Sequence, residues 1–133
     1  KWGYKHLPLP SIHPYAEPAA IASECAAEQG KFWEFVDYVF ANQSSLASDG
    51  ITAAANAAGL KTSDFDSCVN AKKTLALVNA DTTEAGSFGF RGTPSSLVVD
   101  KNGTVLDTIP GALDFDNPSR PSDVKRILDK YVK

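Results

Sequence analysis

The sequence predicts an α/β domain in which several helices separate an early strand from a β-hairpin near the carboxyl terminus. Three observations support this prediction. A helical hydrophobic period dominates residues 31–43, two short apolar runs flank an Asn-Gly step at residues 102–103, and residues 1–7 alternate loosely as a strand does. The length of 133 residues suits one domain with a single core.

The composition is that of an ordinary globular protein and argues against several functional classes. Hydrophobic residues make up 43% of the chain, charged residues 22%, and the formal net charge is -3. No cluster of lysine and arginine indicates nucleic-acid binding. No apolar run approaches the ~20 residues that a membrane-spanning helix needs. We therefore expect no nucleic acid among the partners of this chain.

The amino-terminal strand is predicted from the loose alternation of residues 1–7, which include Trp2 and Tyr4. It ends at Pro8 and Pro10, because proline cannot donate to a strand ladder. The pattern is already under way at the first residue, and no signal peptide is present. We therefore expect the chain to be a processed or shortened piece of a longer protein.

Two helices are predicted next. Pro18 suits the first turn of one helix, where its missing N–H costs nothing, and Gly30 suits the position after its end. The following helix has the strongest period in the chain and should be central to the core. Its apolar residues, at i, i+3, i+4, i+7 and i+8, are Phe32, Phe35, Val36, Val39 and Phe40.

Three further helices complete this central part of the sequence. The alanine-rich run at residues 53–58 should end at Gly59. Thr62 or Ser63 is a good N-cap for a short helix. A last helix in this series should begin near Leu75 and run to about residue 86, because its apolar positions recur with a helical period.

After Pro94 the pattern becomes that of strands. We predict strands over residues 96–99 and 104–109, joined by a turn in which Asn102 and Gly103 supply the positive φ angles. Residues 119–122 should start a final helix. Its apolar face is formed by Val124, Ile127, Leu128 and Tyr131.

The Thr93-Pro94 step is the most informative single feature of the sequence. A proline placed directly before a buried strand calls for a special reason, since it cannot donate to the sheet. One such reason is a cis peptide bond that turns the chain sharply beside a reactive site. The alternative is an ordinary trans proline at the start of a strand.

Few side chains form a recognisable catalytic or metal-binding pattern. Cys25 and Cys68 are too far apart for a Cys-X-X-Cys motif, and two cysteines alone make a poor zinc site. They are either two buried thiols or one disulfide. His6 and His13 have no cysteine, serine or paired acid at motif spacing, so neither is a good candidate for a general base or a metal ligand. We predict no metal site.

In their order and spacing, several short segments resemble the DsbA family of thiol–disulfide oxidoreductases. The resemblance covers nearly the whole chain and rests on Tyr4 to Pro10, His13-Pro14 with Ala19-Ala20, Cys25 to Trp33, Gly59-Leu60 with Phe65 and Cys68, and Gly89 to Pro94. It implies a thioredoxin-like α/β fold, incomplete at the amino terminus, with an inserted helical domain.

The resemblance also implies a division of the chain. Residues 1–12 would supply a strand of the thioredoxin-like part, and residues 13–87 would be the helical insertion. Residues 88–133 would hold the cis-proline loop, the β-hairpin and the last helix.

One departure from the family matters for activity. The family carries its redox Cys-X-X-Cys on elements that precede the strand at residues 1–7, and this sequence contains no such motif. We therefore expect no catalytic residue in this chain and no activity of the chain alone. There are three possible explanations. An amino-terminal part was removed or is not ordered, the sequence covers only the later part of the protein, or the protein lacks the motif by nature. We favour the first two, because an open strand edge would otherwise remain.

The resemblance assigns substrate binding to Thr93 and Pro94. Thr93 would offer its main-chain N–H and C=O to an extended polypeptide, and Pro94 would shape the loop in the cis form. The resemblance also implies a structural disulfide between Cys25 and Cys68. Arg91 is a candidate for steering acidic partners, with a plain surface role as the alternative.

As a function, the resemblance implies disulfide formation or isomerisation in exported, cysteine-containing polypeptides. The location would be periplasmic or in the cell envelope, with membrane anchoring and a membrane redox partner as options, and without a cofactor. Two alternatives stay open. One is a glutathione-dependent enzyme of the kappa kind, which has no Cys-X-X-Cys. The other is a redox-inert module that holds unfolded clients along the Thr93-Pro94 loop.

Overall fold

The structure, a computed structural model, describes residues 1–114 and 123–132. Its contacts divide the chain into two compact units, Lys1–Ala85 and Gly86–Lys133. Along the chain the elements are α1 (Ala16–Ala27), α2 (Phe32–Ala41), a 3₁₀ helix (Gln43–Ser45), α3 (Gly50–Ala57), α4 (Thr62–Asn70), α5 (Leu75–Ser87), β1 (Ser95–Val99), β2 (Val105–Pro110) and α6 (Asp123–Tyr131). Helices with a small sheet fit the predicted α/β class. None of these helices has both the length and the apolar character required to cross a bilayer.

The core of the first unit is built around α1, which contacts α2, α3 and α4. Six of the thirteen buried residues in this core are alanines, so little side-chain volume separates the helices where these alanines lie. The rings of Phe35 on α2 and Phe65 on α4 fill the largest space, with their centroids 5.7 Å apart. The buried cluster consists of Ala20, Ile21, Ala22, Cys25, Ala26, Phe35, Ala54, Ala55, Ala58, Leu60, Phe65, Cys68 and Val78.

Helix α2 follows its predicted period, with one exception. Phe35 and Val36 are buried, and Phe32 and Val39 are half-buried. Phe40, predicted to lie in the core, is 56% exposed. At 3.6 residues per turn, the eighth residue after Phe32 has rotated about 80° from it and lies at the edge of the apolar stripe. The prediction for Phe40 was therefore wrong.

Three helices of the first unit end in the same hydrogen-bond pattern, a Schellman motif. In each, a residue two or three positions past the last helical residue has positive φ: Gly30 at 70°, Gly59 at 70° and Lys72 at 48°. The N–H of the next residue donates to a carbonyl five positions earlier. These pairs are Lys31 to Ala26, Leu60 to Ala55 and Lys73 to Cys68. The two glycines were predicted at these positions, and Lys72 was not.

The start of α4 differs from the prediction of a hydroxyl N-cap. The helix begins at Thr62, so Thr62 and Ser63 lie inside its first turn and Lys61 occupies the cap position without a side-chain cap. Instead, the side chain of a glutamine forms hydrogen bonds with the main chain at Lys61. The side chain of Gln29 accepts from the Lys61 N–H at 2.8 Å and donates to the Lys61 carbonyl at 3.3 Å.

The strand predicted over residues 1–7 was wrong. Residues 1–9 have no regular secondary structure, and the described sheet has two strands, β1 and β2. A strand exists only where its main-chain groups pair with a neighbour, whatever its side-chain alternation. This segment is held by side chains instead. Lys5, for example, forms ion pairs at 2.8 Å with both Asp81 and Glu84 of α5.

In the second unit, β1 and β2 form the predicted antiparallel hairpin. Asp100 organises its turn, because its carboxylate accepts from the N–H groups of Asn102 at 2.8 Å and Thr104 at 2.9 Å. These bonds lower the pKa of Asp100. Of the Asn-Gly pair only Gly103 has positive φ, at 85°, so the assignment of a positive angle to Asn102 was wrong.

Helix α6 contacts the hairpin through its last turn. The Tyr131 hydroxyl donates to Asp107 of β2 at 2.9 Å, and Lys130 pairs with the same carboxylate at 3.1 Å. Leu128, predicted on the apolar face, is exposed. The predicted helix start at residues 119–122 lies outside the described residues.

Substitution of Lys72 by glycine should stabilise the protein by about 1 kcal/mol, since a residue with a Cβ is strained at positive φ. The free energy of unfolding in urea measures the change. Lys72→Ala is the matched control, which removes the charge but keeps the strain, and should lie within about 0.5 kcal/mol of wild type. Equal stability of the glycine and alanine variants would contradict the argument.

Candidate functional site

The loop that precedes β1 borders a shallow cavity of about 340 Å³. The peptide bond between Thr93 and Pro94 in this loop is cis, as the first of the two sequence interpretations predicted. The positive φ of Gly89, 78°, turns the chain after α5 and starts the loop. The cavity is lined by Gly89, Phe90, Arg91, Gly92, Thr93, Pro94, Ser95, Pro110 and Gly111.

The main chain of Thr93 is available to a ligand. Among the described residues, neither its N–H nor its C=O has a hydrogen-bond partner, and both Thr93 and Pro94 are exposed. A hydrogen bond between the neighbours of Thr93 and Pro94 holds the loop: the Ser95 hydroxyl donates to the Gly92 carbonyl at 2.8 Å. This position therefore presents one donor and one acceptor at the beginning of a strand, which suits an extended peptide backbone.

Arg91 supplies the charge at this cavity. It is the one ionisable side chain among the lining residues named above, and it is exposed. Its guanidinium donates to the neighbouring Phe90 carbonyl at 3.2 Å and forms no ion pair within the part of the chain that the structure describes. The sequence had left open whether Arg91 faces a partner or plain solvent, and the structure places it beside Thr93 at the same cavity.

Cys25 and Cys68 form a disulfide that joins α1 to α4, with their Cα atoms 5.9 Å apart. The interpretation as two free thiols was therefore wrong. Both residues belong to the core, with exposed fractions of 1% and 7%. The Thr74 hydroxyl lies 3.9 Å from the Cys25 sulfur and donates to the Ile21 carbonyl at 2.8 Å. A burial of this degree suits a structural bond, because thiol exchange requires access to a sulfur atom.

His6 has a structural role that the sequence did not indicate. It is 5% exposed, and its Nε2 lies 2.9 Å from a carboxylate oxygen of Glu24 on α1. Its main-chain N–H donates to Asp81 on α5 at 3.0 Å. Both partners are distant in the sequence, so no local motif reveals them. His6 thus fixes the irregular amino-terminal segment to two helices, whereas His13 is exposed.

In residues 1–114 and 123–132, no group of three or more histidine, cysteine or acidic side chains has an arrangement that could hold a metal ion.

A family model described as Thioredoxin matches residues 2–130 of the chain. The chain belongs to the thioredoxin family. Proteins of this fold are commonly oxidoreductases, and the loop with the cis bond before Pro94 lies in the matched region.

Several curated proteins are similar to part of the chain. The Na(+)/H(+) antiporter NhaA 3 of Salinispora tropica is 34% identical over 98 residues, which are 74% of this chain and 15% of the antiporter. The antiporter NhaA 1 of Mycolicibacterium gilvum is 37% identical over 97 residues, 71% of this chain and 16% of that protein. The antiporter NhaA of Herminiimonas arsenicoxydans is 34% identical over 94 residues, with shares of 71% and 15%. The chain thus matches a small part of each relative. No solved structure matches it.

Loss of the disulfide should destabilise the protein. Replacing Cys25 and Cys68 together by alanine should lower the free energy of unfolding by about 2–4 kcal/mol, since the unfolded chain loses a closed loop. Denaturant unfolding with and without a reductant measures this. Reduction should bring the wild-type protein close to the double variant and leave the variant unchanged. Reaction of both cysteines of the unreduced protein with a thiol reagent in the absence of denaturant would contradict the assignment.

Proposed function

We propose that this chain is the client-binding part of a DsbA-like thiol–disulfide oxidoreductase that acts on cysteine-containing exported polypeptides. The observation that carries this proposal is the unpaired main chain of Thr93, exposed beside a cavity in a chain of the thioredoxin family. An extended client would pair with this N–H and C=O as a short added strand. Pro94 would hold the loop in the form that presents these groups.

The redox step itself would need cysteines other than the two of this chain, because Cys25 and Cys68 are joined and buried. In the proposed oxidation, a client thiolate attacks one sulfur of an oxidised Cys-X-X-Cys and forms a mixed disulfide, while the other sulfur leaves as a thiolate. A second client thiolate then attacks the client sulfur of the mixed disulfide and releases the first enzyme thiolate. The client loses two electrons and two protons, and the Cys-X-X-Cys becomes a dithiol.

The remaining parts of the chain fit this proposal. The helical unit, residues 13–87 in the proposed division, would be an insertion in a thioredoxin-like fold. A buried disulfide suits an oxidising compartment, which supports a location outside the cytoplasm, in the periplasm or cell envelope. A membrane redox partner would reoxidise the dithiol there.

A second candidate is a redox-inert client-binding module within a larger membrane protein. The observation in its favour is that the relatives described above are named as Na(+)/H(+) antiporters. The stretch that matches this chain makes up 15–16% of the length of each of them. The two candidates differ in the residues that would precede Lys1 in a longer protein. A Cys-Pro-X-Cys there supports the oxidoreductase, a lone serine supports a glutathione-dependent enzyme, and the absence of both supports the inert module.

Removal of the Thr93 N–H should weaken client binding. For Thr93→Pro we expect about a two- to tenfold loss of affinity for an unfolded, cysteine-alkylated polypeptide, the range for one lost hydrogen bond. Fluorescence anisotropy of the labelled polypeptide measures it. Thr93→Val keeps the main chain and is the matched control, with affinity within about twofold of wild type. Circular dichroism shows whether the proline variant is folded. An unchanged affinity of a folded Thr93→Pro protein would refute the binding role.

The 133-residue chain alone should not catalyse the reduction of insulin by dithiothreitol, since its cysteines are buried in a disulfide. The turbidity of precipitating insulin chains measures this activity, with a thioredoxin as the positive control. Activity that disappears when Cys25 and Cys68 are replaced by alanine would contradict the expectation.

A further inference from the structure

The charge at the Thr93 loop comes from a single side chain. The cavity lining consists of glycines, prolines, Phe90, two hydroxyl residues and Arg91. Among the described residues, no carboxylate belongs to this lining, so no described acidic side chain there competes for the guanidinium. A ligand that pairs with the Thr93 main chain therefore meets a positive charge two residues away along the loop.

Arg91 also differs from many other basic side chains of the described residues. The cationic groups of Lys5, Lys31, Lys73, Lys125, Arg126 and Lys130 all lie in ion pairs with carboxylates. Arg91 has one hydrogen bond, to the carbonyl of its neighbour. A guanidinium has five N–H donors in a planar arrangement, so most of them are available to a ligand. A carboxylate is the group that this arrangement binds best, because both of its oxygens can accept at once.

We propose, on the basis of the proposed function, that Arg91 gives this site a preference for clients with an aspartate or glutamate close to the residue that pairs with Thr93. Side chains two positions apart on an extended peptide lie on the same side, about 6.6 Å from each other. An acidic residue at that spacing comes within reach of the Arg91 side chain. Since the pair is exposed, the preference is modest, about two- to fivefold in affinity, and weakens with salt.

The test uses the full 133-residue chain and three seven-residue peptides that differ at two positions. Each peptide has a central serine, and the residues two positions before and after it are glutamate, glutamine or lysine. Titration followed by NMR of the amide signals of Arg91, Gly92 and Thr93 gives the dissociation constants. We expect the glutamate peptide to bind about two- to fivefold more tightly than the glutamine peptide, and the lysine peptide to bind most weakly. The difference in affinity should disappear at 0.5 M salt, because salt at this concentration screens the attraction between exposed charges.

Arg91→Gln should abolish the preference, so that the glutamate and glutamine peptides bind equally, and Arg91→Lys should retain part of it. Lys101→Gln is the matched control, because Lys101 is an exposed cation of the same unit outside the cavity lining. It should leave the preference intact. Equal affinities of the three peptides would overturn the role of Arg91 while leaving the proposed function in place. If none of the peptides binds, both the preference and the client-binding proposal fail.

Discussion

The burial of α1 against three other helices is the interaction on which the first unit depends. Ala22 and Ala26 of α1 and Ala54 of α3 have no exposed surface, so their methyl groups are fully enclosed in the core. Such contacts tolerate no added volume, since overpacking a core costs about 1–3 kcal/mol. The disulfide fastens α1 to α4 within this arrangement, and the Schellman ends of α1, α3 and α4 stop each helix where the chain must turn.

The site depends on a different kind of constraint, a main chain left without partners. The N–H and C=O of Thr93 are not bonded to described residues, so both are open to a partner that brings its own main-chain groups. The neighbouring Ser95–Gly92 hydrogen bond holds the loop without using these groups. Under the proposed function, recognition at such a position would be largely independent of client sequence, and Arg91 would add a charge contribution to it.

Much of this fold could be predicted wherever the structure is determined by residues that are close together in the sequence. The period of α2, the end-glycines Gly30 and Gly59, and the hairpin around Gly103 all follow from the conformational preferences of a few neighbouring residues. The predictions failed where distant contacts decide. Residues 1–7 have the side chains of a strand but no strand partner, and the burial of His6 depends on Glu24 and Asp81.

The candidate site was predictable in position but not in detail. The residues alone singled out the Thr93-Pro94 step and left two forms of its peptide bond open. The pairing of Cys25 with Cys68 required the family resemblance, because spacing cannot distinguish two buried thiols from one disulfide. That the described lining of the cavity holds Arg91 and no carboxylate is a property of the folded chain, which sequence spacing does not show.

The Cys25–Cys68 bond also changes how the helical unit would respond to proteases. It closes a loop that contains α2 and α3, so a single cut anywhere between these helices leaves two fragments that are still covalently attached. The cleaved molecule would migrate as one species on a denaturing gel until a reductant is added.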